Sequence, residues 1–228
     1  MNKNQVLLLI KKVRDHSPKR NFPQMFDLLI KLKNLDLKKP EQKVDVFVSL
    51  PHSLGKKIKT CAFVDAQLET KAKESFNTVI LKSDFAKYKG NVKSIRKLAS
   101  SHSFFVAQAE LMGQIATIFG KTLGSRGLMP NPKAGCVVPS SVLSLKSLVE
   151  KLEKTVHLQT KNELSIKAPF GLESLSDDQL ADNLLVLYQT LLKSLSQEHN
   201  NVQSVSLKLT MGPLFTLNDE KNTNMEKK

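Results

Sequence analysis

Residues 123–139, LGSRGLMPNPKAGCVVP, stand between two regions of strong hydrophobic periodicity and fit neither a helix nor a strand. Gly124, Gly127 and Gly135 open backbone angles closed to other residues, while Pro130 and Pro132 fix φ and remove two amide donors. Asn131, between the prolines, favours an Asx turn. The stretch reads as a rigid, shaped loop. Arg126 and Lys133 set positive charge on it, which suits a phosphate or a facing carboxylate; the plainer reading is a solvated turn with two incidental cations.

Working outward, residues 109–123 form an apolar-faced helix that runs into the loop, and 145–154 (LKSLVEKLEK) supply another beyond it. Residues 60–64 (TCAFV) and 103–107 (SFFVA) are continuous apolar runs of the kind found in buried parallel strands, and 79–81 is a shorter strand. Helical patterns fill 66–76 and the stretch NVKSIRKLASSH, which Asn91 can cap. Strand and helix alternate, so this part of the chain predicts a small α/β unit with a mostly parallel sheet.

Both flanks follow a different grammar. Val6, Leu7 and Ile10 are spaced for an amphipathic first helix that Pro18 stops. Residues 27–35 and then Val44, Val46 and Val48 alternate apolar with polar, which predicts an antiparallel pair backed by that helix. Past residue 155 the pattern returns: strands at 156–159 and 164–168 around the turn TKNE, with 169–171 closing the second. Ser176 and Gln179 make a capping box for a long helix whose first turn carries Asp177 and Asp178, and 202–211 (VQSVSLKLTM) is an alternating strand. Beyond Leu217 the polar tail has nothing to bury and is expected to be disordered. The economical architecture is a discontinuous α+β domain, residues 1–56 and 155–228, with an α/β domain, 57–154, inserted into it.

A formal charge of +14 favours a polyanionic partner. Its distribution is uneven: residues 1–58 carry 13 Lys and Arg against 5 Asp and Glu, 59–154 carry 15 against 7, and 155–228 carry 7 against 9. Any polyanion contact by the last third must therefore use neutral groups at chosen positions. No apolar run approaches the ~20 residues of a spanning helix, and no signal-peptide pattern opens the chain, so a membrane partner is not expected. Cys61 and Cys136 are too few for a disulfide scaffold or a cysteine zinc site, which points to a reducing cytoplasm. Cys61, in an apolar strand, reads as an inert small hydrophobe, and Cys136, near Lys133, as the more reactive thiol.

Gly120-Lys121-Thr122 imitates the end of a phosphate-binding loop, but that motif needs a glycine where Ile115 stands. The five histidines sit at no metal-ligand spacing, and no nucleophile–base or paired-carboxylate pattern stands out. Neither an enzyme nor a cofactor is expected.

The stretch GLMPNPKAG (127–135) resembles the signature of the large-subunit ribosomal protein L-one family, the protein of the mobile stalk beside the tRNA exit site, and KLTMGP (208–213) resembles the same family's closing motif. The stretch LKNLDLKKPEQ (32–42) is more similar to archaeal than to bacterial members. The resemblance implies a hinged two-domain protein, the inserted domain Rossmann-like and the crossings near 55–57 and 154. It also implies an rRNA site on the discontinuous domain, with Thr210, Met211 and Gly212 its most specific contacts and Phe22 an aromatic at the same surface. Asp27 and Lys31 follow on the next strand, and Ser165, Lys167 and Ser204 can share that face. The competing bland readings are a strand end with a turn at Gly212, core packing for Phe22, and a solvated face for Lys31 and Lys167. Arg126, Gly127, Met129, Pro130, Asn131, Pro132, Lys133 and Gly135 carry the signature loop. Implied partners are large-subunit rRNA, deacylated tRNA and the protein's own messenger RNA, the chain being a cytoplasmic monomer when free of the ribosome. Pro23, Ser53 and Cys136 depart from the family pattern. A basic RNA-binding module unconnected with the ribosome is the alternative from composition alone, and a nucleotide enzyme built on the inserted domain a more remote one.

Overall fold

The computed structural model describes residues 1–139, 145–160 and 162–217. The expected disorder of the tail concerns residues 218–228 and lies outside them. The chain begins with helix α1 (Lys3–His16) and strands β1 (Met25–Leu32) and β2 (Asp45–Ser49). The middle carries β3 (Thr60–Val64), α2 (Glu69–Ser75), β4 (Thr78–Leu81), α3 (Phe85–Tyr88), α4 (Val92–Ser101), β5 (Phe104–Gln108), α5 (Met112–Arg126), β6 (Val137–Val138) and α6 (Lys146–Glu153). Then follow β7 (Thr155–Gln159), β8 (Ser165–Leu172), α7 (Asp177–Ser194), β9 (Val202–Leu209) and β10 (Phe215–Thr216). The fold is mixed α/β in two compact units, one made of residues 1–56 together with the chain from Lys154 onward, the other of Lys57–Glu153.

In the middle unit four parallel strands run in the order β4-β3-β5-β6. All five residues of β3 are buried, which explains why it reads as a continuous apolar run and not as an alternation. Phe63 anchors the core, its ring 5.9 Å from Phe85, 5.8 Å from Phe105 and 4.9 Å from Phe119. Asn91 caps α4 by accepting from the Ser94 amide at 3.2 Å.

The signature stretch is not all loop. Helix α5 continues through Gly124 to Arg126, and Gly124 is not in the left-handed region. Gly127 is, with φ 70°, and ends the helix: its amide donates to the Gly124 carbonyl at 3.0 Å and that of Leu128 to Leu123 at 2.9 Å. This double closure needs a left-handed residue, which glycine supplies without strain. Asn131 Oδ1 accepts from the Lys133 amide at 2.9 Å, the expected Asx turn. Gly135 then turns the chain with φ 74°, and Val137–Val138 form the edge strand β6 beside β5, a strand the sequence reading missed. The stretch thus completes the sheet.

The other unit holds an antiparallel sheet in the order β10-β9-β1-β8 and a separate two-stranded sheet, β2-β7. The expected pairing of β1 with β2 does not occur. Both edges of β1 are taken, by β8 and β9, and β2 pairs instead with β7 from Asp45↔Gln159 to Ser49↔Thr155. Strand β8 also outruns its expected end at 169–171. Pro169 is tolerated because β8 is an edge strand and the register slips beside it, between Phe26 and Asp27. Helices α1 and α7 supply Ile10, Val13, Leu184 and Leu187 to the core lined by Phe26, Leu28, Ile30 and Leu207 of the sheet. The capping box at α7 is present, Ser176 Oγ accepting from the Gln179 amide at 3.4 Å and Gln179 Oε1 from the Ser176 amide at 3.3 Å.

Two polar side chains tie this unit together. Asn183 of α7, fully buried, donates to the carbonyls of Phe170 (2.9 Å) and His52 (3.2 Å) and accepts from the His52 amide (3.0 Å). Arg14 of α1 donates to the Glu173 and Leu175 carbonyls at 2.7 and 2.8 Å and to Asp177 Oδ1 at 2.9 Å, over the Phe26 ring.

Candidate nucleic-acid interface

Period-two alternation buries Phe26, Leu28, Ile30 and Leu32 of β1 and turns Asp27, Leu29 and Lys31 to the opposite face. Register builds that face into rows. Lys208 of β9, Asp27 and Pro169 of β8 form one; Ser206, Leu29 and Lys167 the next; Ser204, Lys31 and Ser165 the third. Asp27, Lys31, Ser165, Lys167 and Ser204, singled out from sequence, therefore share one surface with three lysines spaced across it. A groove of about 600 Å³ crosses it, lined by Asp27, Leu29, Lys167, Pro169, Lys208 and Leu214 among others.

Several of these groups already have partners. Glu163 Oε2 accepts from Ser165 Oγ at 3.0 Å and from Lys167 Nζ at 3.1 Å, and those bonds hold its carboxyl below the usual carboxylate range. Ser206, almost fully buried, shares a hydrogen bond of 3.0 Å with Thr216 of β10. Partial burial pushes the Asp27 carboxyl up, against the opposing pull of Lys208.

Where β9 ends, the chain turns through Thr210, Met211 and Gly212. The Thr210 hydroxyl is engaged within the protein. Its Oγ1 lies 3.1 Å from the Met25 carbonyl and 3.2 Å from the Met25 amide, so it serves as a clasp to the start of β1. Gln24, buried, accepts from the Met211 amide at 3.1 Å and donates to the Pro18 carbonyl at 3.3 Å. With its amide held, Met211 projects its side chain outward at 58% exposure; Phe22, at 50%, is not in the core, and Leu214 is 46% exposed. Gly212 is closely packed. A Cβ there would lie 2.7 Å from Ser17 Oγ and 3.3 Å from Leu209 Cβ, so the close approach it permits is to Ser17 of its own chain.

Lys208, Ser206, Leu29, Pro169, Leu214 and Gln24 also build this surface, though none is among the residues singled out from sequence. For Ser206 and Lys208 the signal was present, because the alternation that selects Ser204 and Thr210 also selects them. Gln24 carries no such signal, since its partners come from a distant segment.

The signature-loop residues belong to the other unit. Arg126 donates to Ser100 Oγ at 2.7 Å, Lys133 is exposed, and Met129 packs at the edge of the core. Cys136 is not reactive as expected: it is 3% exposed, and burial pushes its thiol up to about 11, while that of Cys61 is pushed up to about 12. Among the described residues no helix is long and apolar enough to cross a membrane.

A family model described as the ribosomal protein L1p/L10e family matches residues 11–213. The chain belongs to that family. This L1p/L10e chain is 34% identical over 221 residues to large ribosomal subunit protein uL1 of Methanocaldococcus jannaschii, spanning 97% of this chain and 98% of that one. Large ribosomal subunit protein uL1 of Nanoarchaeum equitans is 36% identical over 207 residues, 90% of this chain and 95% of its own. That of Pyrococcus horikoshii is 34% identical over 212 residues, 93% and 94% of the two chains. These relatives are archaeal, in keeping with the 32–42 stretch of this L1p/L10e member.

Proposed function

We propose that the chain is a structural constituent of the large ribosomal subunit that binds rRNA through the open face of the β10-β9-β1-β8 sheet and the turn after β9. The observation that carries this reading is that Lys31, Lys167 and Lys208 share one sheet face of an L1p/L10e chain, with Gly212 and exposed Leu214 lining the groove on it and exposed Met211 on the turn between β9 and that groove. Lysines supply affinity to any phosphate backbone, whereas flat apolar side chains on a fixed turn distinguish a particular RNA shape. Through that attachment the protein forms the mobile stalk and aids the release of deacylated tRNA. Its own messenger RNA, folded to the same shape, competes for the face and is repressed.

The test compares a stalk rRNA fragment with an unrelated structured RNA of equal length at low and high salt. The expected result is a preference for the stalk fragment that survives high salt and that Thr210→Val with Met211→Ala reduces about tenfold or more, equivalent to roughly 1.4 kcal/mol. If both RNAs bind alike and fade together with salt, the chain is a general basic RNA-binding module.

Asp27 adds a pH dependence. A carboxyl with a raised native pKa binds its proton more tightly when folded, so its charge costs stability above that pKa and the cost disappears as pH falls through it. Asp27→Asn is therefore expected to raise the denaturation midpoint at pH 7, and the gap to wild type should close on acidification. A gap that stays constant, or widens, in acid rules out titration of Asp27 as its source.

A further inference from the structure

The proposed rRNA face leaves the cations of helix α4, in the middle unit, without a use. Helix α4, VKSIRKLASS, holds Lys93, Arg96 and Lys97 and no acidic residue. Lys93 lies in the first turn, where the helix dipole disfavours a cation, and Lys93 and Lys97 are like charges four apart on one face. Ion pairs elsewhere in this unit join Glu69 to Lys73, Asp84 to Lys87 and Glu74 to Lys146, and among the described residues none reaches the α4 cations. Three exposed cations in an arrangement that local electrostatics opposes become favourable once a polyanion lies against them.

Beside them is a concavity of about 660 Å³ along the free edge of β4, bounded by α3 and α4, with Thr78, Tyr88, Asn91, Lys97, Leu98 and His102 in its lining. Tyr88 is half-buried and braced by Phe119, ring centroids 5.4 Å apart, which gives an aromatic surface with a fixed orientation. His102 is locked as well, Nε2 2.9 Å from Thr78 Oγ1 and Nδ1 3.0 Å from the Leu98 carbonyl. Asp84, the acidic group in the lining, is held by Lys87 Nζ at 2.6 Å. Fixed rings for stacking beside unpaired lysines are the elements of sequence-tolerant single-strand binding. We infer that the groove between α3, α4 and the β4 edge binds single-stranded RNA, a base resting on Tyr88 and the backbone phosphates on Lys97 and Lys93. This surface lies on a different unit from the proposed rRNA face and is independent of it.

The chain has two tyrosines and no tryptophan, so Tyr188→Phe leaves Tyr88 as the reporter of intrinsic emission. Titrating octauridylate into the full-length Tyr188→Phe protein is expected to quench that emission saturably. Adding Lys97→Glu, an exposed change that leaves the core untouched, should weaken the quench at least tenfold, whereas Thr210→Val with Met211→Ala should leave it unchanged. The inference is overturned by the absence of quenching, by quenching that survives Lys97→Glu or follows the Thr210 and Met211 changes, and by equal quenching with octaglutamate. Binding of the stalk rRNA fragment is read separately and stands or falls on its own.

Discussion

Asn183→Ala is expected to destabilise its unit by about 3–5 kcal/mol, because it removes at once the partners of one buried and two partly buried backbone groups. The Asn183 amide satisfies two carbonyls and an N–H in the chain at His52 and at Phe170. Asn183→Asp should cost nearly as much. A carboxylate still accepts from the His52 amide but faces the two carbonyls with charge instead of protons. Hydrogen exchange separates this from a global effect: amides of β8 and α7 should lose protection while those of β3 and β5, in the other unit's core, keep theirs. Equal loss in both, or a cost under 1 kcal/mol, would show that this side chain does not hold the unit together.

Arg14→Ala should cost about 2–4 kcal/mol, and Arg14→Lys about half of that. The guanidinium satisfies two carbonyls and the Asp177 carboxylate in one plane, and stacks on Phe26 with its carbon 5.2 Å from the ring centroid. An ammonium carries the charge but cannot span that fork. Arg14 and Asp177 are only 27% and 28% exposed, so salt should screen the pair weakly. The effect belongs in the urea midpoint and not in RNA affinity, because this cation is spent on the protein itself. A variant that melts like wild type and binds stalk RNA poorly would reverse the assignment.

These two side chains mark where sequence reading stops. Local signals translated directly: the Ser176 and Gln179 box begins α7, Asn91 caps α4, and β3 is buried on both faces as its apolar run implies. Each depends on residues close in the chain. The pairing of β2 with β7 depends on residues more than a hundred positions apart, and nothing in DVFVS names TVHLQ as its partner. The sheet face proposed for rRNA was legible in its side-chain types and alternation, hence Asp27, Lys31, Lys167 and Ser204, but not in its turn. There the hydroxyl of Thr210 and the missing side chain of Gly212 turn inward, to Met25 and Ser17, and what remains for a ligand is Met211 and the lysine rows.

The position of β1 has a consequence for synthesis. It is the second element made, yet both strands that flank it, β8 and β9, come from the last third of the chain. A nascent chain can close the β4-β3-β5-β6 sheet with its own phenylalanine core while β1 still waits with two open edges, apolar on one side and carrying Asp27, Leu29 and Lys31 on the other. Order of emergence and order of completion are thus inverted. The surface proposed for rRNA is therefore missing from any product of translation that stops short of β9.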